Sequence, residues 1–242
     1  MSTLIVVPCF RESLRIRRFL PELCSEMETI GSVDVRLVDD GSGVEEADAM
    51  QAYVDELRTS HPCLQPLQRV VPNRGKGGAV YAGWSDSGAA EWVGFVDADG
   101  SCNAKETARL IQVAAGSSPE VGGVFASRVK MLGRSVERQL KRHLIGRVYA
   151  TIVSELLDID VYDSQCGLKL VRRRVFEQIQ PRLFIERFAF DVDLLVNLVD
   201  AGHSVVEVPI DWNEVAGGKV SLVRDSWRMF QDVLKIKRRR VA

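Results

Sequence analysis

The sequence predicts an α/β domain with a mostly parallel central sheet and helices on both of its faces. Three observations predict it. Short apolar runs at 3–7, 33–38, 67–71, 92–96 and 121–126 read as strands, and their near-continuous hydrophobicity is that of strands buried on both faces. Helical patterns at 12–29, 44–58, 77–87 and 104–115 lie between them, the alternation expected of right-handed βαβ crossovers. A chain of 242 residues, 46% hydrophobic and 27% charged, is long enough for one sizeable core and has the composition of an ordinary globular protein.

The second half has a different texture. Residues 127–147 are rich in Arg and Lys, and an amphipathic helix continues over 148–157. A short element at 167–171, a helix at 190–201 and a strand at 204–208 follow. The chain then closes with a polar loop over 212–220 and a basic helix over 222–237. We find no internal repeat and no linker.

Totals exclude several classes. A net charge of -1 gives no global pull towards nucleic acid. The five cysteines are scattered and form no C-x-x-C pair, so they read as reduced thiols of a cytoplasmic protein. The chain enters a strand at once, without a leader pattern, and the expectation is that it is not secreted. No apolar run approaches the roughly 20 residues of a membrane span, so any contact with the cytoplasmic face of a membrane is expected to be peripheral.

Reactive residues of such a sheet gather in loops at the carboxyl ends of the strands. Four loops stand there: Pro8-Cys9-Phe10-Arg11-Glu12, Asp39-Asp40-Gly41-Ser42, Asn73-Arg74-Gly75-Lys76-Gly77-Gly78 and Asp97-Ala98-Asp99-Gly100. Asp97 and Asp99, two apart, face one side if the strand geometry continues, and Gly100 permits the turn after them. Two neighbouring carboxylates repel unless a cation joins them. Mg²⁺ or Mn²⁺, taken together with a substrate diphosphate, satisfies that demand. The plainer reading is a turn in which Asp99 and Ser101 cap the helix that begins near Asn103. At Asp39 and Asp40 one carboxylate suits a base or ribose and the other a helix cap. The 73–78 loop reads as an anion site at a helix N-terminus, with Lys76 a mobile positive charge near a nucleotide. It has neither Walker A nor dinucleotide-fingerprint spacing.

In this order the four loops resemble family 2 glycosyltransferases of the GT-A, or nucleotide-diphospho-sugar transferase, fold. Asp163-Ser164-Gln165-Cys166-Gly167-Leu168-Lys169-Leu170, the 185–194 segment with Asp191 and Asp193, and Asp211-Trp212-Asn213-Glu214 with Lys219 narrow it. They look like dolichyl-phosphate β-glucosyltransferases, with polyprenyl-phosphate mannosyltransferases next. Arg11 stands where the family usually has Asn, and Phe10 where Tyr is common.

The resemblance implies that 1–220 form the catalytic domain, with a nucleotide-sugar half at 1–126 and an acceptor half at 127–220, and that 221–242 form a basic amphipathic helix and tail. Pro8, Phe10, Glu12, Asp39, Asp40, Asn73, Lys76, Asp97 and Lys219 are then the nucleotide-sugar residues. Asp97 and Asp99 hold the metal. Arg128 and Arg147 are catalytic and bind the phosphate of a lipid-phosphate acceptor, with Ser164, Gln165 and Trp212 beside them. A planar guanidinium fork suits phosphate oxygens.

A phosphate acceptor is largely ionised at neutral pH and needs no general base, whereas a hydroxyl does. Asp160, Asp163, Asp191 and Asp193 are the candidate bases in the second case. The expected reaction is inverting transfer of a hexose, glucose from UDP-glucose ahead of a GDP-sugar, to polyprenyl phosphate. The alternatives are transfer to a hydroxyl, sugar nucleotidyl transfer, and a non-catalytic nucleotide-sugar module. Trp227, Phe230, Val233 and Leu234 form a stripe followed by Lys235, Lys237, Arg238, Arg239 and Arg240. It reads either as a membrane-surface helix or as a helix packed on the domain.

Overall fold

A computed structural model describes residues 1–137, 140–215 and 224–241. Lys219, with Gly217 and Gly218, lies outside them, as do Arg138 and the side chains of Lys141, Arg142 and His143.

The first half alternates as its periodicity predicts: β1 (Thr3–Cys9), α1 (Ile16–Ile30), β2 (Val33–Asp40), α2 (Val44–Leu57), β3 (Gln68–Val70), α3 (Lys76–Ser85), β4 (Trp92–Val96), α4 (Ala104–Ala115) and β5 (Val121–Ser127). The second half holds β6 (Val136–Glu137), α5 (Leu140–Leu157), β7 (Leu168–Arg172), α6 (Arg173–Ile179), α7 (Phe190–Asp200), β8 (Ser204–Pro209), β9 (Trp212–Asn213) and α8 (Arg224–Val241).

Seven strands form one sheet in the order β3-β2-β1-β4-β7-β5-β8. Most pairs are parallel, but β7 runs antiparallel to both neighbours, pairing Phe95 with Lys169 and Val124 with Leu170. Its apolar run gives no sign of that direction, because a strand buried on both faces reads the same either way.

The two faces of each strand feed different cores. Ile5, Val7 and Cys9 of β1 pack with Phe19 and Leu23 of α1 and Ile111 of α4. Leu4 and Val6 pack on the other face with Trp84 of α3 and Phe190 of α7. Burial on both sides explains why the strands carry runs rather than alternation.

Two departures bear on the site. The expected 212–220 loop begins as a strand, because Trp212–Asn213 pairs in parallel with Val136–Glu137. In α8, Val233 and Ile236 are fully buried in the second core, so one stripe of that helix packs on the domain. A neighbouring stripe stays open, with Trp227 61% exposed. Among the described residues no helix is long and apolar enough to cross a membrane.

Candidate active site

The parallel strands β1, β2 and β4 end on one rim, and the chain leaves each through a polar loop. There lies a cavity of about 620 Å³. Pro8, Phe10, Glu12, Asp40, Asn73, Lys76, Asp97, Asp99, Arg128, Arg147, Ser164, Gln165 and Trp212 all line it. Asp39, also expected there, sits one layer back: it is buried, and its Oδ1 accepts the Ser42 N–H at 3.3 Å.

Asp97 follows the last residue of β4, and its N–H donates to the Gly167 carbonyl at 2.9 Å. Gly167 is required by close approach: a Cβ there would fall 2.1 Å from Asp97 Oδ2. On the other oxygen, Asp97 Oδ1 meets Lys76 Nζ at 2.6 Å. Asp99 Oδ1 accepts the Ser101 N–H at 2.9 Å. The helix itself is capped by Asn103, whose side chain accepts the Glu106 N–H at 2.9 Å. Asp99 therefore shapes the turn while Asn103 caps, and the capping reading is met by a different residue.

Electrostatics single out this cluster. Burial, and then repulsion from Asp97, raise the carboxyl of Asp99 above its ordinary range against the pull of Ser101 and Lys76. Burial opposes the charge of Lys76, but Asp97, Asp191 and Asp99 together raise its pKa above the usual ammonium value. Behind them Lys169 Nζ and Asp191 Oδ1 form a buried pair at 2.7 Å. Lys169 Nζ also donates to the Cys166 carbonyl at 2.6 Å and lies 5.2 Å from the Phe125 ring centre. Burial raises Asp191, with Lys169 and Lys76 pulling the other way. The buried pair carried no local signal in the sequence, since its partners are 22 residues apart on different elements.

The 73–78 loop departs from its expectation as an open anion cradle. Arg74 and Gly75 N–H groups donate to Asp40 Oδ1 and Oδ2 at 2.8 and 2.7 Å, and Asn73 Nδ2 donates to Oδ2 at 2.8 Å. The Gly78 N–H donates to the Glu186 carbonyl at 2.9 Å. These groups hold the loop against β2 and α7's approach, so its charge enters the cavity through the Lys76 side chain. Gly75, at φ +96°, adopts a conformation L-residues avoid, and a Cβ would meet the Glu186 carbonyl at 2.8 Å.

The arginines are also tethered. Arg128 makes a two-pronged pair with Asp163: Nε to Oδ2 at 2.7 Å and Nη2 to Oδ1 at 2.7 Å. Its backbone N–H adds a third bond at 3.0 Å. Burial works against both charges, yet each outweighs it for the other, holding Asp163 well below and Arg128 above their ordinary ranges. Arg128 also lies 5.0 Å from the Trp212 ring centre. Arg147 stacks on Tyr162 at 4.0 Å and donates to its carbonyl at 3.1 Å. Among the described residues Ser164 Oγ, Gln165 Nε2 and Tyr149 Oη are buried without a hydrogen-bond partner, and all three residues line the cavity. A buried polar group left unmatched costs about 1–3 kcal/mol, which a polar ligand would recover.

Other residues stand apart. Asp193 accepts the Phe184 and Ile185 N–H groups at 2.8 and 3.0 Å and holds a loop. Asp160 is exposed and not among the lining residues. His61 contacts Glu28 and His203 contacts Gln178, as isolated histidines are expected to. Lining residues that the sequence did not announce include Arg187, Tyr162, Ser226 and Met229; the last two bring the first turns of α8 to the cavity.

The family model for glycosyl transferase family 2 matches residues 4–180. The chain belongs to glycosyl transferase family 2. A dolichyl-phosphate β-glucosyltransferase of Dictyostelium discoideum is 29% identical over 242 residues, covering 96% of this chain and 73% of that one. A polyprenol monophosphomannose synthase of Mycolicibacterium smegmatis is 29% identical over 218 residues, covering 88% and 77%. Among solved structures, glucosyl-3-phosphoglycerate synthase of Mycobacterium tuberculosis bound to UDP superposes with a TM-score of 0.71 at 14% identity, covering 98% of this chain and 80% of that one. The fold of this family 2 member is thus GT-A, as the loops implied. The same synthase has been solved with Mn²⁺ and UDP.

A divalent cation fits the residues present here. Asp99 is a half-buried carboxylate raised by desolvation and then by its neighbour Asp97, a strain that a hard cation relieves. Among the described residues no group of three or more His, Cys, Asp or Glu stands together as a full ligand set.

Proposed function

We propose that this family 2 member is an inverting hexosyltransferase that moves glucose from UDP-glucose to a polyprenyl phosphate. The observation that carries this reading is one cavity lined both by the Lys76, Asp97, Asp99 group and by the tethered arginines Arg128 and Arg147. The first group suits a sugar diphosphate with its cation, and the second suits a phosphate monoester. The Dictyostelium relative, named for glucosyl transfer to dolichyl phosphate, supports the acceptor class.

In this reading Asp97 and Asp99 would hold Mg²⁺ or Mn²⁺, which would supply positive charge to offset that of the departing nucleoside diphosphate. Pro8, Phe10, Glu12 and Asn73 contact the nucleoside portion of the donor, and Asp39 and Asp40 hold the loops that shape it. Lys76 exchanges its contact with Asp97 for the diphosphate oxygens. Arg128 and Arg147 orient the acceptor phosphate, with Ser164, Gln165 and Trp212 beside it. The phosphate oxygen attacks the anomeric carbon from the face opposite the leaving group, turning an α-linked donor into a β-linked product. No proton need be removed from such an acceptor.

The hydroxyl-acceptor reading asks for a spare carboxylate base. Asp163 is committed to Arg128, Asp191 to Lys169 and Asp193 to backbone N–H groups, which favours phosphate. We also assign peripheral membrane contact to the 222–242 region, supported by the exposed Trp227 next to Phe230 and by the exposed Lys237 and Arg238.

The test is incubation with UDP- and GDP-sugars, Mn²⁺ or Mg²⁺ and a short polyprenyl phosphate. A β-linked lipid-phosphate sugar is expected, with UDP-glucose the best donor. Transfer only to a hydroxyl acceptor would overturn the reading.

A further inference from the structure

We propose that Glu207 is the positioning residue of the acceptor site, setting Arg128 and Arg147 through the backbone of Tyr162 and Asp163. The inference rests on the acceptor reading above. Glu207 belongs to no sequence motif and is not among the cavity-lining residues. It lies on the edge strand β8, in parallel register with Phe125 of β5.

Its two carboxylate oxygens take two consecutive backbone N–H groups. Oε2 accepts from Tyr162 at 2.8 Å and Oε1 from Asp163 at 2.9 Å. These are the hydrogen bonds that the Glu207 side chain makes among the described residues. Both arginines then depend on the clamped dipeptide. Asp163 takes the guanidinium and the backbone N–H of Arg128, while Tyr162 gives Arg147 a ring to stack on and a carbonyl to bond. One carboxylate on a sheet edge therefore orients two guanidinium forks that start from different elements.

The chemistry requires a carboxylate. Two N–H donors side by side need two acceptor oxygens, and each bond is strengthened by the negative charge. Glutamine has the same size but one acceptor; its NH₂ would face a backbone N–H. The 158–167 connection would then lose one of its two ties to β8, and both arginines would loosen together. Groups that grip a reacting phosphate must be held to a fraction of an ångström, since a 1 Å misplacement is worth about a hundredfold in rate.

The experiment compares wild type, Glu207→Gln, Arg147→Ala and the double variant. For Glu207→Gln we expect the KM for a short polyprenyl phosphate to rise about tenfold, the equivalent of one charge-assisted hydrogen bond. The KM for the sugar nucleotide should stay within about twofold, because the donor side does not use this clamp. In the Arg147→Ala background the Glu207→Gln penalty should shrink, since the two act on one contact. An equal rise in both KM values, or an undiminished penalty in the double variant, overturns the proposal. Hydrogen–deuterium exchange reads the clamp without any acceptor: the amides of 162 and 163 should exchange faster in Glu207→Gln than in wild type. Unchanged exchange there overturns the proposal. If wild type itself fails to use polyprenyl phosphate, the acceptor reading falls, and the exchange result still decides the clamp.

Discussion

Asp99, half-buried, and Asp163, buried, are carboxylates at the same cavity, and their surroundings push them in opposite directions. Asp99 faces Asp97 and is raised; Asp163 faces Arg128 and is lowered. Lys76 offsets only part of the cost at the first, which an added cation would relieve, whereas the second is already paired with Arg128. For Asp99→Asn we expect kcat to fall at least about a hundredfold, because the charge that balances the leaving diphosphate is worth several kcal/mol. The thermal midpoint should hold or rise, since a raised carboxyl is a cost to the fold. A thermal melt beside a turnover assay checks both. Asp163→Asn should behave differently. Its lowered carboxyl contributes stability at every pH above the unfolded-chain value of about 3.9, and loses it as pH falls towards the folded value. The variant should be less stable by on the order of 3 kcal/mol at neutral pH, as when one partner of a buried pair is removed. The gap should close below about pH 4, and denaturant titrations at several pH values would show it. A gap independent of pH would mean that the pair with Arg128 is not its source.

At the scale of elements, β7 brings the 163–167 segment against the Asp97 motif. Gly167 leads directly into β7, and its lack of a Cβ lets Asp97 sit against the chain. Gly167→Ala should leave circular dichroism near that of wild type while lowering turnover about a hundredfold, through a displaced Asp97. Turnover near wild type would show that Asp97 tolerates the shift. The sequence carried the parallel strands and their terminal loops plainly, because strand ends and Asp-Gly or Gly-rich turns are local signals. It carried less of what joins them. Asp40 holds a loop 33 to 35 residues away, and Lys169 meets Asp191 across two elements. Glu207 meets Tyr162 at a separation of 45. Asp40, Lys169 and Asp191 stand in recognisable segments and Glu207 in none, but each contact joins positions far apart in the chain, so composition and spacing are silent about the partner. The two-residue strands β6 and β9 are likewise too short to carry a period.

For the molecule as a whole, α8 serves two surfaces. Val233 and Ile236 are core residues, Arg240 pairs with Asp200 at 2.7 Å, and Arg239 lies 4.5 Å from the Phe184 ring centre. Removing residues from 238 onward should therefore lower the thermal midpoint by several degrees, as the loss of about 1 kcal/mol does in a domain of this size. Trp227→Ala should leave the midpoint unchanged and weaken binding to anionic liposomes. If Trp227→Ala binds liposomes like wild type, the open stripe is not a membrane contact. Sequence reading left packing and membrane contact as alternatives for this helix; the structure shows one stripe packed on the domain and a neighbouring stripe exposed.

The reversed strand has a consequence for how the protein can be cut. Between β4 and β5, both made by the first 127 residues, lies β7 from the second half. A fragment ending near 127 would lose β7 and β8, both partners of β5, leaving β5 unpaired on either side and the edge of β4 open. Such a fragment should aggregate when expressed by itself and recover only when the remainder is supplied in trans. Chimeras between relatives that exchange the chain beyond residue 127 would need to carry that central strand along with the surface loops, because the segments before and after it share a single hydrogen-bonded lattice.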